Sequence, residues 1–221
     1  MQIIAHRGAS YFEPENTLRS FKRAIEMGAD FVEMDIRMSK DKELVVIHDA
    51  DVNRTTNGIG LVKDKTLSEL KKLDIGLGER IPTLDEVLKL TKNKIGLVIE
   101  IKEPGTENKI IEKINENNLE NVILASFYHE SIKNAKKLDP SINAGIIFVC
   151  RPVDVIQIAF NANANIIFPS HRYMNENMVK EAKKHDITVY PWAIDDPVIF
   201  ERFAEMGVDG IITNKLVGKW Y

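Results

Sequence analysis

Cysteine is nearly missing from this chain: Cys150 stands alone among 221 residues, so no disulfide can form within it. At the end of the apolar run 144–149 it reads as a buried strand thiol and not as a nucleophile. Long hydrophobic runs are missing too, and none approaches the ~18 apolar residues that a membrane-spanning helix requires. The opening Met1-Gln2-Ile3-Ile4-Ala5 enters a strand pattern at once, with neither a basic leader nor a long apolar stretch. These absences lead to the expectation of a cytoplasmic protein without integral membrane association. There is no basic excess either. The 30 Lys and Arg against 33 Asp and Glu leave a net charge of −3, and no Lys/Arg/aromatic stripe stands out, which argues against nucleic acid as a partner. No Gly/Ser-rich or Pro-rich linker divides the chain, so residues 1–221 are expected to form one catalytic domain.

What is present is ordinary for a globular protein: 44% hydrophobic and 29% charged residues. A chain of this length can bury about 70% of its unfolded surface. Short β-branched runs at 2–5, 31–37, 96–101, 121–125, 144–149, 164–168, 187–192 and 208–213 alternate with helical patterns at 17–27, 84–91, 108–117, 131–138, 153–160, 176–185 and 198–206. Thr83 followed by Glu86 reads as a capping box opening the second of those helices. Eight strand-helix units predict an α/β fold with a parallel sheet closed as a (β/α)8 TIM barrel. The run 43–48 looks like an additional antiparallel partner of the second strand. From about 50 to 81 the pattern breaks, and that stretch reads as a small insertion after the second strand.

The chain is organised around Phe31-Val32-Glu33-Met34-Asp35-Ile36-Arg37. Side chains alternate along a strand, so Val32, Met34 and Ile36 line one face while Glu33 and Asp35 share the other. Two adjacent carboxylates facing a core are costly to desolvate unless something positive meets them. Glu100 and Lys102 repeat the i, i+2 pattern on the third strand. His6 and Arg7 close the first strand, His48 and Asp49 the extra one, Trp192 the seventh, and Thr213 and Asn214 the eighth. Barrel active sites are built at that carboxyl-terminal face.

Glu33, Asp35 and Glu100 offer an all-oxygen shell suited to one hard divalent cation, Mg²⁺ or Ca²⁺. Zinc is disfavoured, because its catalytic sites usually draw on several histidines. Arg7 and Lys102 add positive charge beside that cation, a surplus best explained by an anionic ligand such as phosphate. His6 and His48, from separate strands, can flank a scissile bond as general acid and general base. The other histidines read as structural or solvated: His129 at a helix start, His171 beyond the sixth strand, and His185 at a helix end favoured by the helix dipole.

The residues carry a family resemblance that spans essentially the whole chain. His6-Arg7-Gly8-Ala9 with Pro14-Glu15-Asn16-Thr17, Glu33-Met34-Asp35-Ile36, His48-Asp49 with Arg54-Thr55-Thr56-Asn57-Gly58, Ile81-Pro82-Thr83-Leu84, Glu100-Ile101-Lys102, and Trp192 with Asp209-Gly210-Ile211-Ile212-Thr213 resemble the bacterial glycerophosphodiester phosphodiesterases. The resemblance implies a distorted eight-stranded barrel and metal-dependent hydrolysis of glycerophosphodiesters to sn-glycerol 3-phosphate and an alcohol. It implies His6 and His48 as the acid/base pair, Glu33, Asp35 and Glu100 as metal ligands, Arg7 and Lys102 as phosphate anchors, and Trp192 as an apolar wall beside the glycerol. One departure is visible: Asn214 follows Thr213 where the family commonly has Asp, with a Pro soon after. Two other readings stay open. One is a lipid-acting, lysophospholipase D-like phosphodiesterase, which the mostly polar loops weaken. The other is a non-catalytic barrel that only binds phosphodiesters.

Overall fold

The computed structural model describes residues 1–216. Nine strands form one sheet: β1 (Gln2–Ala5), β2 (Phe31–Met38), β3 (Leu44–Val46), β4 (Gly96–Ile101), β5 (Val122–Ser126), β6 (Asn143–Phe148), β7 (Ile166–Pro169), β8 (Thr188–Val189) and β9 (Gly210–Thr213). Eight run in the order β8-β7-β6-β5-β4-β2-β1-β9, and every neighbouring pair along that path is parallel. The ninth, β3, is the antiparallel partner of β2, with Ile36 opposite Val46.

The helices are α1 (Leu18–Glu26), α2 (Leu67–Leu70), α3 (Leu84–Thr91), α4 (Glu107–Glu116), α5 (His129–Leu138), α6 (Val155–Asn161), α7 (Glu176–Lys184) and α8 (Pro197–Met206). Thr83 and Glu86 form the expected capping box on α3, and Thr17 with Ser20 forms another on α1. His129 starts α5, as its sequence position suggested.

The barrel closes between β8 and β9 without a regular ladder. Pro191 has no N–H to give, and the strand pairing of β8 ends at Val189. Individual backbone bonds complete the ring: Asp209 N to Val189 O at 3.2 Å, Ile212 N to Pro191 O at 2.9 Å, and Ile194 N to Ile212 O at 2.9 Å.

Alternation along the strands sorts the core. Val32, Met34 and Ile36 face outward into the main apolar layer under the helices. Ile4, Phe31, Val98, Ile147, Phe168 and Ile212 pack inside the barrel. Glu33 and Asp35 continue the inward row above Phe31, and Asp35 lies opposite Glu100 of β4. The stretch after β3 folds around its own small cluster of Val52, Val62, Leu70 and Ile81, which packs on Val45 and Ile47. Cys150 corrects the expectation. The strand ends at Phe148, one residue short of its apolar run, and the thiol is exposed in the loop beyond.

Candidate active site

At the carboxyl end of the strands a cavity of about 130 Å³ opens. Its polar wall is His6, Arg7, Glu33, His48, Glu100 and Lys102, and its apolar wall includes Val98, Phe168, Ile212 and Trp192. A roomier groove of about 770 Å³ between α6 and α7 contains none of the converging carboxylates. Chemistry, not volume, selects the smaller cavity.

Oxygens of Glu33, Asp35 and Glu100 all lie within 4.8 Å of one another, and all three residues are buried. The donors suit a hard cation, and one observation tests the fit: Glu33 Oε1 and Asp35 Oδ1 are buried with no hydrogen-bond partner. Buried polar oxygens are rarely left so, and a cation bound by the trio would satisfy them. Burial, then Asp35 and Glu100, raise the Glu33 carboxyl well above its usual range. Burial and Asp35 push Glu100 up to about 7. Burial acts against ionisation of Asp35 too, but Lys102 and Arg7 outweigh it and hold that carboxyl at about 2.

Those two cations are tightly held. Lys102 Nζ lies 3.0 Å from Asp35 Oδ1 and 2.5 Å from Glu100 Oε1. Arg7 Nη1 donates to Glu15 Oε1 at 2.8 Å, and its Nε lies 3.4 Å from Asp35 Oδ2. Arg7 adopts a left-handed backbone, φ 57°, which turns its N–H onto Glu33 Oε2 at 2.7 Å. The next residue, Gly8, also has a positive φ, and a Cβ there would meet Ser20 Oγ at 2.4 Å.

Both histidines have one ring nitrogen engaged. His48 Nδ1 meets Asp49 Oδ1 at 2.7 Å. A carboxylate only accepts, so Nδ1 carries the proton and Nε2 is left for the cavity. His6 Nδ1 meets Asn214 Oδ1 at 2.7 Å. Burial, followed by Arg7, lowers the basicity of His6; burial and Lys102 lower that of His48 against the pull of Asp35 and Asp49.

The structure therefore brings together His6, Arg7, Glu33, Asp35, His48, Glu100 and Lys102, with Trp192 across the cavity. Trp192 Nε1 donates to Phe168 O at 2.8 Å, and Phe127 stacks edge-on against its ring at 5.6 Å. His129 and His171 lie outside this group, each bonded to a backbone carbonyl, of Ile147 and Trp192 respectively. His185 caps the end of α7 beside Phe160.

The model of the Glycerophosphoryl diester phosphodiesterase family matches residues 6–217. The chain belongs to that family. It is 45% identical over 226 residues to the glycerophosphodiester phosphodiesterase of Caldanaerobacter subterraneus subsp. tengcongensis, covering 96% of this chain and 93% of that one. A Bacillus subtilis glycerophosphodiester phosphodiesterase is 32% identical over 241 residues, covering 96% and 82%. Among solved structures, an Oleispira antarctica phosphodiesterase in complex with the product sn-glycerol-3-phosphate matches with a TM-score of 0.89 at 29% identity, covering 97% and 93%. The Thermotoga maritima glycerophosphodiester phosphodiesterase matches with a TM-score of 0.84 at 29% identity, covering 97% and 94%. As a member of this family, the chain is an enzyme, a phosphoric diester hydrolase.

Several residues of this family member's site escaped the reading of individual side chains. Asn16 buries its amide to bond Asp35 Oδ2 at 2.7 Å. Glu15 bonds both Arg7 and Arg54, and Arg54 Nε reaches Asp49 Oδ2 at 2.6 Å, so the inserted segment is tied to both walls. Arg37 Nε holds the backbone oxygen of His48 at 2.8 Å. Glu15, Asn16 and Arg54 lay inside motif segments, but nothing in their spacing showed these partners. The loops are also less polar than expected, with Tyr11, Phe12, Phe127 and Tyr128 exposed after β1 and β5. No helix among the described residues is long and apolar enough to cross a membrane.

Proposed function

We propose that this chain hydrolyses glycerophosphodiesters to sn-glycerol 3-phosphate and an alcohol, using one divalent cation and a pair of histidines. One observation carries the reading. Three buried carboxylates, two with an oxygen that accepts no hydrogen bond, stand with two cations and two histidines at a small cavity. Family membership narrows the substrate, and the product named in the Oleispira antarctica complex is the product expected here.

Charge balance supports the order of binding. With all three carboxylates ionised, the form that would bind an ion, Arg7 and Lys102 leave the trio of Glu33, Asp35 and Glu100 with one negative charge in excess. A divalent ion reverses that to one positive charge, which a phosphodiester monoanion neutralises. Glu33, Asp35 and Glu100 would hold the ion, Mg²⁺ or Ca²⁺. When bound, it supplies Lewis-acid polarisation of a phosphoryl oxygen.

The chain's own residues do the rest. Arg7 and Lys102 anchor the phosphoryl oxygens by charge-assisted hydrogen bonds. One histidine, through Nε2, removes the proton of the substrate's 2-hydroxyl, which attacks phosphorus to give a cyclic phosphate. The other histidine, protonated, gives its Nε2 proton to the departing alkoxide. Water then opens the ring with the two roles exchanged. Trp192, with Phe127 against it, forms the apolar wall beside the glycerol carbons and limits access of bulk water.

A phosphorus NMR time course of glycerophosphoethanolamine, with added Mg²⁺ or Ca²⁺ and again with a chelator, tests this. Cation-dependent appearance of glycerol 3-phosphate is the expected result. A diester left unchanged with either ion overturns it, and turnover of lysophosphatidylcholine alone moves the activity to lipid substrates.

A further inference from the structure

His6 leaves β1 and meets the end of β9. The two chain segments are joined there by backbone bonds from His6 N to Thr213 O at 2.9 Å and from Tyr11 N to Asn214 O at 3.1 Å. Asn214 is thus fixed in front of the imidazole, and its amide has two distinct ends. Nδ2 donates to Asp195 Oδ2 at 2.7 Å, while Oδ1 faces His6 Nδ1 at 2.7 Å.

An asparagine amide is ambiguous only while its neighbours can both donate and accept. Here one neighbour is a carboxylate. Asp195 is ionised and accepts three bonds: from Asn214 Nδ2, from Asn214 N at 2.8 Å and from Thr213 Oγ1 at 2.9 Å. It can take only the NH₂ end of the amide. The carbonyl end must then point at the ring, and the ring must answer with an N–H.

We propose that Asp195 and Asn214 are positioning residues that hold His6 in its Nδ1–H tautomer, making Nε2 the atom that exchanges protons in the cavity. The inference rests on the proposed role of His6 in catalysis. It gives a purpose to the Asn that stands where the family commonly has Asp. His48 has a carboxylate directly on Nδ1, whereas His6 receives its carboxylate at one remove, through a neutral amide. Both rings are thereby fixed in one tautomer, but only His48 has an anion in contact. The two histidines are unequal by construction, as a reaction needing one acid and one base requires.

The test is long-range ¹H–¹⁵N correlation NMR on ¹⁵N-histidine-labelled protein, at a pH where the rings are neutral, with steady-state kinetics alongside. The wild-type His6 ring is expected as Nδ1–H. In N214A the ring turns over to Nε2–H, as the free histidine side chain prefers, and kcat falls at least about tenfold while KM changes less than about twofold. The exchange D195N/N214D, which reverses donor and acceptor between the two positions, restores Nδ1–H and recovers turnover relative to N214A. Wild-type His6 found as Nε2–H overturns the proposal. So does N214A with unchanged tautomer and kcat. If N214A does not fold, the wild-type spectrum and the exchange variant still decide. Should H6A keep wild-type turnover, the catalytic reading of His6 fails, whatever the tautomer.

Discussion

Glu33 Oε2 accepts the backbone N–H of Arg7 at 2.7 Å, while Oε1 of the same carboxylate is buried without a hydrogen-bond partner. One oxygen holds the first loop in place and the other is left for the proposed cation. Asp35 differs in charge more than in bonding: Lys102 and Arg7 lie 3.0 and 3.4 Å from its oxygens and Asn16 donates to Oδ2, although its Oδ1, like Glu33 Oε1, accepts no hydrogen bond.

The two carboxylates should therefore respond oppositely to neutralisation. Glu33→Gln keeps an oxygen for Arg7 and removes a costly buried charge, so the chelated protein should be no less stable than wild type. Its affinity for Mg²⁺ should fall at least about tenfold. Asp35→Asn takes one of two carboxylate partners from each of the partly buried Arg7 and Lys102 and should cost about 3 kcal/mol. Urea unfolding in chelator, with calorimetric Mg²⁺ titration, separates the two. Equal destabilisation by both would contradict this division.

Stability of the cation-free protein should fall as pH rises. Burial and Asp35 push the folded Glu100 carboxyl up to about 7 from its ordinary 4.5, and Glu33 is raised in the same direction. Between those values the folded state holds a proton that the unfolded chain has released, so the slope is negative, up to about 3 kcal/mol for Glu100. Asp35 has the opposite sign, since its stabilisation fades only as pH drops from 3.8 toward 2. Thermal melts in chelator should decline from about pH 5 to 7.5, and Mg²⁺ should recover more at the upper end, where no proton competes. A gain from Mg²⁺ independent of pH would be inconsistent with the carboxylate trio as its site.

His6→Ala and His48→Ala should each reduce turnover roughly 100-fold or more, and the double variant should be little worse than either alone. Phosphorus NMR with the variants reads this directly. Strictly multiplicative losses would mean that the two rings do not act in one proton-transfer cycle.

Gly8→Ala places a methyl 2.4 Å from Ser20 Oγ and 2.7 Å from the Ser20 carbonyl carbon, at φ +77°. A loss of at least about 2 kcal/mol is expected, with weakened substrate binding because Arg7 must shift. A fully stable and active G8A would show that this turn yields more easily than its packing implies.

The barrel and the carboxylate trio were legible because both follow from local periodicity: alternation places Glu33, Asp35 and Glu100 inward, and eight strand-helix units close a ring. The antiparallel β3 followed from its turn, and the resemblance in motif segments supplied the family. What stayed hidden depends on long-range partners. Asn214 meets His6 across a separation of 208 residues, and Glu15 meets Arg54 across 39; no spacing rule reaches so far. Cys150 was misplaced for a local reason, since an apolar run does not mark where a strand stops pairing.

The contact between His6 and Asn214 also sets a schedule. A nascent chain can build β1, β2 and the carboxylate trio long before synthesis ends, yet the first histidine lacks its partner until residue 214 has left the ribosome. Closing that last, most distant loop is the slow kind of contact in folding. A chain stalled before residue 214 therefore holds the carboxylate trio while His6 still lacks its asparagine.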